Sequence, residues 1–150
     1  MFGCRLLLIP LALGPLAACS GSGGSSSSST IVTAADTQAY SGIKPDEVVH
    51  FTGTEPFWGG QVSGKALTYT TPENKTGERV AVDRFAGRHG ISFSGDFAGE
   101  PFVLAVTPGT CSDGMSDRSY PYTVTLQVKG EQRNGCAWTD RQPYSGPKQP

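Results

Sequence analysis

The densest run of chemically capable side chains lies between residues 112 and 121, where Asp113, Ser116, Asp117, Arg118 and Tyr120 stand in one Ser-Asp-Gly-Met-Ser-Asp-Arg-Ser-Tyr-Pro segment. Two carboxylates, a guanidinium, hydroxyls and a phenol suit recognition of a partner surface. Arg118 and Tyr120 are the expected anchors, because Arg and Tyr are enriched where binding energy concentrates. The alternative is a loop that satisfies itself, its Asp and Ser oxygens capping local backbone donors and Arg118 paired with an acid. A calcium loop is disfavoured: Asp113 and Asp117 are hard oxygen donors, yet the run lacks the alternating acids and closing Glu of such loops.

At the N-terminus, Arg5 is followed by an apolar run from Leu6 to Leu16. A spanning helix needs roughly 20 apolar residues, whereas the apolar part of a secretory signal has about 7–15 and ends in small residues. The run closes on Leu16-Ala17-Ala18-Cys19, which resembles the lipobox of bacterial lipoproteins. That resemblance implies cleavage after Ala18 and diacylglycerol on the Cys19 thiol. Ser20 stands where an inner-membrane retention Asp would be, so by the same resemblance the protein travels to the outer membrane and faces the periplasm. Residues 20–29 are only Ser and Gly, a composition that cannot bury apolar surface and behaves as a flexible coil. The expected organisation is a signal peptide over 1–18, a lipidated cysteine with its linker over 19–45, a β-barrel domain over 46–141 and a disordered tail over 142–150.

With Cys4 removed and Cys19 acylated, Cys111 and Cys136 are the thiols left in an oxidising compartment, and they are expected to pair. They lack Cys-x-x-Cys spacing, and no nearby His or third Cys completes a zinc set. A core of about 95–100 residues is marginal and gains from such a staple. Catalysis finds no constellation. His50 and His89 lie outside any His-x-His or His-Glu-x-x-His spacing, no Gly-x-Ser-x-Gly elbow is present, and the glycines fall at turns rather than between a strand and a helix. A non-enzymatic protein without cofactor or metal is expected.

Twelve Lys and Arg stand against 13 Asp and Glu, for a formal charge of −1 that becomes −2 when Arg5 is lost with the signal. That balance gives no basic excess of the kind a phosphate-binding face needs, so nucleic acid is not an expected partner. The expected partners are the membrane, through the lipid anchor, and an envelope protein or cell-wall component. The elements that must position the 112–121 segment read as strands. Tyr122, Val124, Leu126 and Val128 alternate with Thr123, Thr125, Gln127 and Lys129, the period of a half-buried strand. Similar signals fall at 47–51, 58–62, 66–70, 79–85, 90–94, 101–107 and 135–138. Turn residues separate them, among them Ser94-Gly95-Asp96, Pro108-Gly109 and Lys129-Gly130. About eight short strands predict an all-β protein, a small antiparallel barrel or sandwich. Phe57 and Trp58 are expected to plug one end of its core.

The segments Gly53-Thr54-Glu55-Pro56-Phe57-Trp58, Cys111-Ser112-Asp113-Gly114-Met115-Ser116-Asp117 with Tyr120-Pro121, and Gly135-Cys136 resemble a family of uncharacterised bacterial envelope lipoproteins over residues 49–138. The small all-β shape more distantly resembles META-type domains and lysozyme inhibitors. In that inhibitor class a Ser- and Tyr-containing loop and a later Lys-Gly enter the lysozyme cleft. Ser116, Tyr120 and Lys129-Gly130 look similar in order, although Ser116 is followed by Asp117 where the pattern has Gly. A carrier of a small hydrophobic ligand inside the barrel is the remaining expectation.

Overall fold

The computed structural model describes residues 38–147. The segments expected to be a signal peptide and a Ser/Gly tether, the expected lipidation site Cys19 and residues 148–150 lie outside the described residues. Eight antiparallel strands follow one another around a closed barrel: β1 (Val49–Thr54), β2 (Phe57–Ser63), β3 (Ala66–Thr70), β4 (Glu78–Ala86), β5 (Ile91–Phe97), β6 (Glu100–Cys111), β7 (Tyr120–Val128) and β8 (Glu131–Thr139). β8 returns to β1, with Val49 opposite Thr139 and Thr52 opposite Cys136. Every strand signal read from the alternation is a strand here, and no helix occurs among the described residues.

Alternation decides which side chains fill the interior. Along β7 the buried positions are Tyr120, Tyr122, Val124, Leu126 and Val128. They meet Val49, Phe51, Leu67, Phe102, Leu104 and Val106 from the other strands, all at most 1 % exposed. Burying each such side chain is worth about 1.5–3 kcal/mol, and eight strands enclose a space that side chains can fill. The hairpins take the residues their geometry demands. Lys129 and Gly130 (φ 49° and 72°) both adopt the left-handed conformation of a two-residue turn that matches strand twist.

Two expected turns and one strand start are displaced. Ser94-Gly95-Asp96 belongs to β5, where a Cβ on Gly95 would lie 2.2 Å from the Ala81 carbonyl oxygen, so the glycine marks close backbone approach rather than a turn. The chain reverses instead at Ala98-Gly99. Pro108-Gly109 lies within β6, where the register against β7 shifts between Pro108 and Cys111. Such an irregularity is where a strand tolerates proline. β8 begins at Glu131, not near Gly135, because Glu131–Asn134 complete the ladder to β7 despite their polarity.

The packed unit also exceeds its expected bounds of 46–141. Ile43 is 1 % exposed and belongs to the core, with Tyr40 packed against it. The Arg84 guanidinium donates to the Ile43 carbonyl at 2.7 Å. Residues 142–147, expected to be disordered, are tied down at Gln142, Ser145 and Pro147 by hydrogen bonds to Thr139, Ser119 and Arg118.

Candidate binding site

The 112–119 loop leaves β6 at Cys111, which is joined to Cys136 of β8 with 5.6 Å between the Cα atoms. The bridge therefore spans β7 and holds the start of the loop. Its first acid then organises the rest. The Asp113 carboxylate accepts from the Met115 amide (3.0 Å), the Ser116 amide (2.8 Å), the Ser116 hydroxyl (2.7 Å) and the Tyr120 phenol (3.0 Å). Its own carbonyl accepts from the Thr54 hydroxyl at 3.2 Å, which fastens the loop to β1. Partial burial acts to raise the Asp113 pKa, but the four donors outweigh it and hold the carboxyl down at about 2.

The self-satisfied reading thus describes Asp113 and Ser116. The Ser116 hydroxyl also accepts the Arg118 amide at 3.3 Å. Asp117 is exposed. Tyr120, expected as an exposed anchor, is 2 % exposed, its ring against Trp138 and Tyr144 with centroids 5.5 Å away in each case. Arg118 donates from Nε to the Pro147 carbonyl at 2.9 Å and lies 4.6 Å from the Tyr144 ring centroid. His50 stacks on Trp138 at 5.3 Å and contacts Asp140 at 3.1 Å.

Lys129 does not join this group. The whole of β7 separates it from Tyr120, about 25–30 Å at the rise of an extended strand. Its ammonium lies 5.2 Å over the Phe97 ring, beside Tyr69 and Arg133 at that mouth of the barrel. Sequence order placed Lys129 with the loop; strand direction takes it to the other end.

Phe57, expected in the core plug with Trp58, does not join it. Adjacent residues on a strand face opposite sides, so Trp58 is buried at 4 % while Phe57 stands 53 % exposed on the outer wall. Met115 is 67 % exposed. Between them runs a groove of about 380 Å3 with Thr52, Thr54, Tyr120 and Trp138 in its lining. Two large exposed apolar side chains flanking an aromatic-lined groove form a surface that a partner can cover.

One expected result follows from the Asp113 hub. Its pKa in the folded protein lies below the 3.8 of a free carboxyl, so its contribution is full above about pH 4 and fades as the pH falls from there toward 2. Asp113→Ala should cost about 0.5–2 kcal/mol at pH 7, the range for a lost cap. The gap from the parent protein should close by pH 2. Thermal unfolding across this range checks it, and a gap that does not depend on pH refutes the role.

In comparisons with protein families, with curated proteins and with solved structures, nothing matches this chain.

Proposed function

We propose that this chain is an outer-membrane lipoprotein, anchored through Cys19, whose barrel is a non-enzymatic interaction module that docks an envelope protein on the groove between Phe57 and Met115. The observation that carries the reading is the pairing of those two exposed side chains with a loop already fixed by the Cys111–Cys136 bridge, Asp113 and Thr54. Exposed aromatic and Met side chains are enriched at protein interfaces, and a pre-ordered loop loses little entropy on docking. The lipobox-like Leu16-Ala17-Ala18-Cys19 and the Ser/Gly run behind it support the anchor. Envelope attachment would set the partner class. The lysozyme-inhibitor alternative draws less support, because Ser116 and Tyr120 lie at one end of β7 and Lys129 at the other. The carrier alternative has an interior already occupied by Phe51, Phe102, Leu104 and Tyr122.

A photo-crosslinking residue placed singly at positions 57, 115 and 85 of the full chain, in intact cells, tests the surface. Phe85 is 67 % exposed but lies on another wall, in β4. A discrete protein adduct should form from 57 and 115 and not from 85. No adduct at 57 and 115, or the same adducts at all three, overturns the reading. In the same cells Cys19→Ala should give an uncleaved or a soluble exported product; a variant that still matures and stays with outer-membrane vesicles through a high-salt wash refutes the anchor.

A further inference from the structure

The segment from Pro143 to Pro147 has no place in the barrel. The ladder closes between β1 and β8 without it, and none of its residues belongs to the buried core. It lies instead beside the candidate groove as a short extended piece. Ser119 and Ser145 exchange both backbone hydrogen bonds, at 3.0 and 2.9 Å. Tyr144 sets its ring edge-on to Trp138 with centroids 5.5 Å apart, and the Arg118 guanidinium covers its other neighbourhood at 4.6 Å. Gly146 has φ 108°, and a Cβ there would lie 2.5 Å from the Asp117 carbonyl oxygen and 3.1 Å from Arg118 Cα. The Pro147 carbonyl then accepts from Arg118 Nε.

From this we infer that residues 143–147 are a resident ligand, and that the surface beneath them is a strand-docking site for an extended segment of a partner protein bearing an aromatic residue followed two positions later by glycine. This rests on the reading of the groove as an interaction surface and names what it recognises. Three features define the ligand. The Ser119 backbone supplies one donor and one acceptor, the pattern by which an extended peptide is added to a sheet. Trp138, Tyr120 and Arg118 form a slot that takes an aromatic ring by edge contacts and a cation above its face. Asp117 and Arg118 leave no room for a Cβ two residues on. The chain's own Tyr144-Ser145-Gly146 meets all three conditions, so the site is shown with a fitting occupant in place. Two backbone hydrogen bonds, the Ser145 hydroxyl on the Ser119 carbonyl, one ring and two Arg118 contacts are few enough to exchange. Removing the segment would uncover Tyr120 and Trp138, which also line the groove between Phe57 and Met115.

The probe is a synthetic peptide, Gln-Pro-Tyr-Ser-Gly-Pro, added to the full chain. A tethered segment competes at an effective concentration near the millimolar range, so the parent protein should bind the peptide weakly. Tyr144→Ala should bind it at least tenfold more tightly, with a change in Trp138 fluorescence. Peptides with Tyr→Ala or Gly→Ala should each lose at least tenfold against the same variant. A second variant locks the segment: Ser119 and Ser145 form a hydrogen-bonded pair, whose Cα atoms stand about 5.5 Å apart, within disulfide reach. Ser119→Cys with Ser145→Cys should therefore abolish peptide binding once oxidised. Failure of the folded Tyr144→Ala chain to bind the peptide overturns the inference, as does binding that ignores the Tyr and Gly substitutions. A Tyr144→Ala chain that unfolds at ambient temperature overturns it too, since the segment then belongs to the fold. Crosslinks from positions 57 and 115 that persist unchanged in the locked chain would sink this inference and leave the interaction module standing; their absence in every variant sinks the module itself.

Discussion

Alanine at position 135 will lower stability by about 3 kcal/mol or more, at the upper end of what overpacking costs. A Cβ there would stand 2.2 Å from the Thr52 carbonyl oxygen and 3.0 Å from Trp58 Cζ2. The first neighbour is backbone of β1, so relief requires the closing β1–β8 pair to part. Gly53 plays the complementary part. It lies opposite Trp58 in the β1–β2 register, and a Cβ on it would sit 2.2 Å from Trp58 Nε1 and 2.3 Å from Cε2. The buried indole therefore lies across two glycines, Gly53 on β1 and Gly135 on the next strand beyond it, β8, and Gly53→Ala should cost about 1–3 kcal/mol. A double-mutant cycle separates this from ordinary strand propensity. Gly53→Ala in a Trp58→Leu background should be nearly free, because the ring it strikes is gone, whereas strictly additive losses in chemical denaturation would refute the packing argument.

The next largest effect is expected at the disulfide. Cys111→Ala and Cys136→Ala should each destabilise the domain by on the order of 3 kcal/mol, from closure of a 25-residue separation in the unfolded chain. The double variant should be no worse than either single one, since one bond is lost in all three. Losses that add would mean that the sulfurs stabilise the fold independently. The bridge also fixes the loop, so crosslinking from position 115 should fall in the Cys111→Ala chain even at temperatures where the barrel remains folded. Undiminished crosslinking there would show that Asp113 and Thr54 hold the loop without help.

Period-2 alternation placed all the strands, because each has one face in the core and that pattern is local. The turns were harder to read. Gly95 and Gly130 are the same residue type, yet one sits under the Ala81 carbonyl and the other reverses the chain, a difference set by a neighbouring strand and not by adjacent residues. Phe57-Trp58 reads as one aromatic pair although a pleated strand must send its members to opposite sides. The disulfide was legible from cysteine counting, and the Asp113 network from the density of short polar side chains. Two relations could not be seen locally. Lys129 is close to Tyr120 in sequence but a whole strand away in space, and the polar, Pro-containing tail hides one aromatic residue whose partners lie at positions 118, 120 and 138.

The ring of strands also governs the order in which this protein can be made. Glu47, just before β1, accepts a 2.6 Å hydrogen bond from Thr139 at the end of β8, across 92 residues of sequence. Neither end of that contact is worth anything until the intervening chain has been arranged. The entropy of joining such distant segments must be met before the pairing rewards it, and topologies of this kind fold in milliseconds to seconds rather than microseconds. A polypeptide emerging N-terminus first can form the β2–β3 and β5–β6 hairpins early, but its first strand keeps one side open until residue 139 has emerged. Synthesis stopped anywhere before β8 yields an unclosed sheet with Cys111 still waiting for its mate, so the finished state is reached in a single late step.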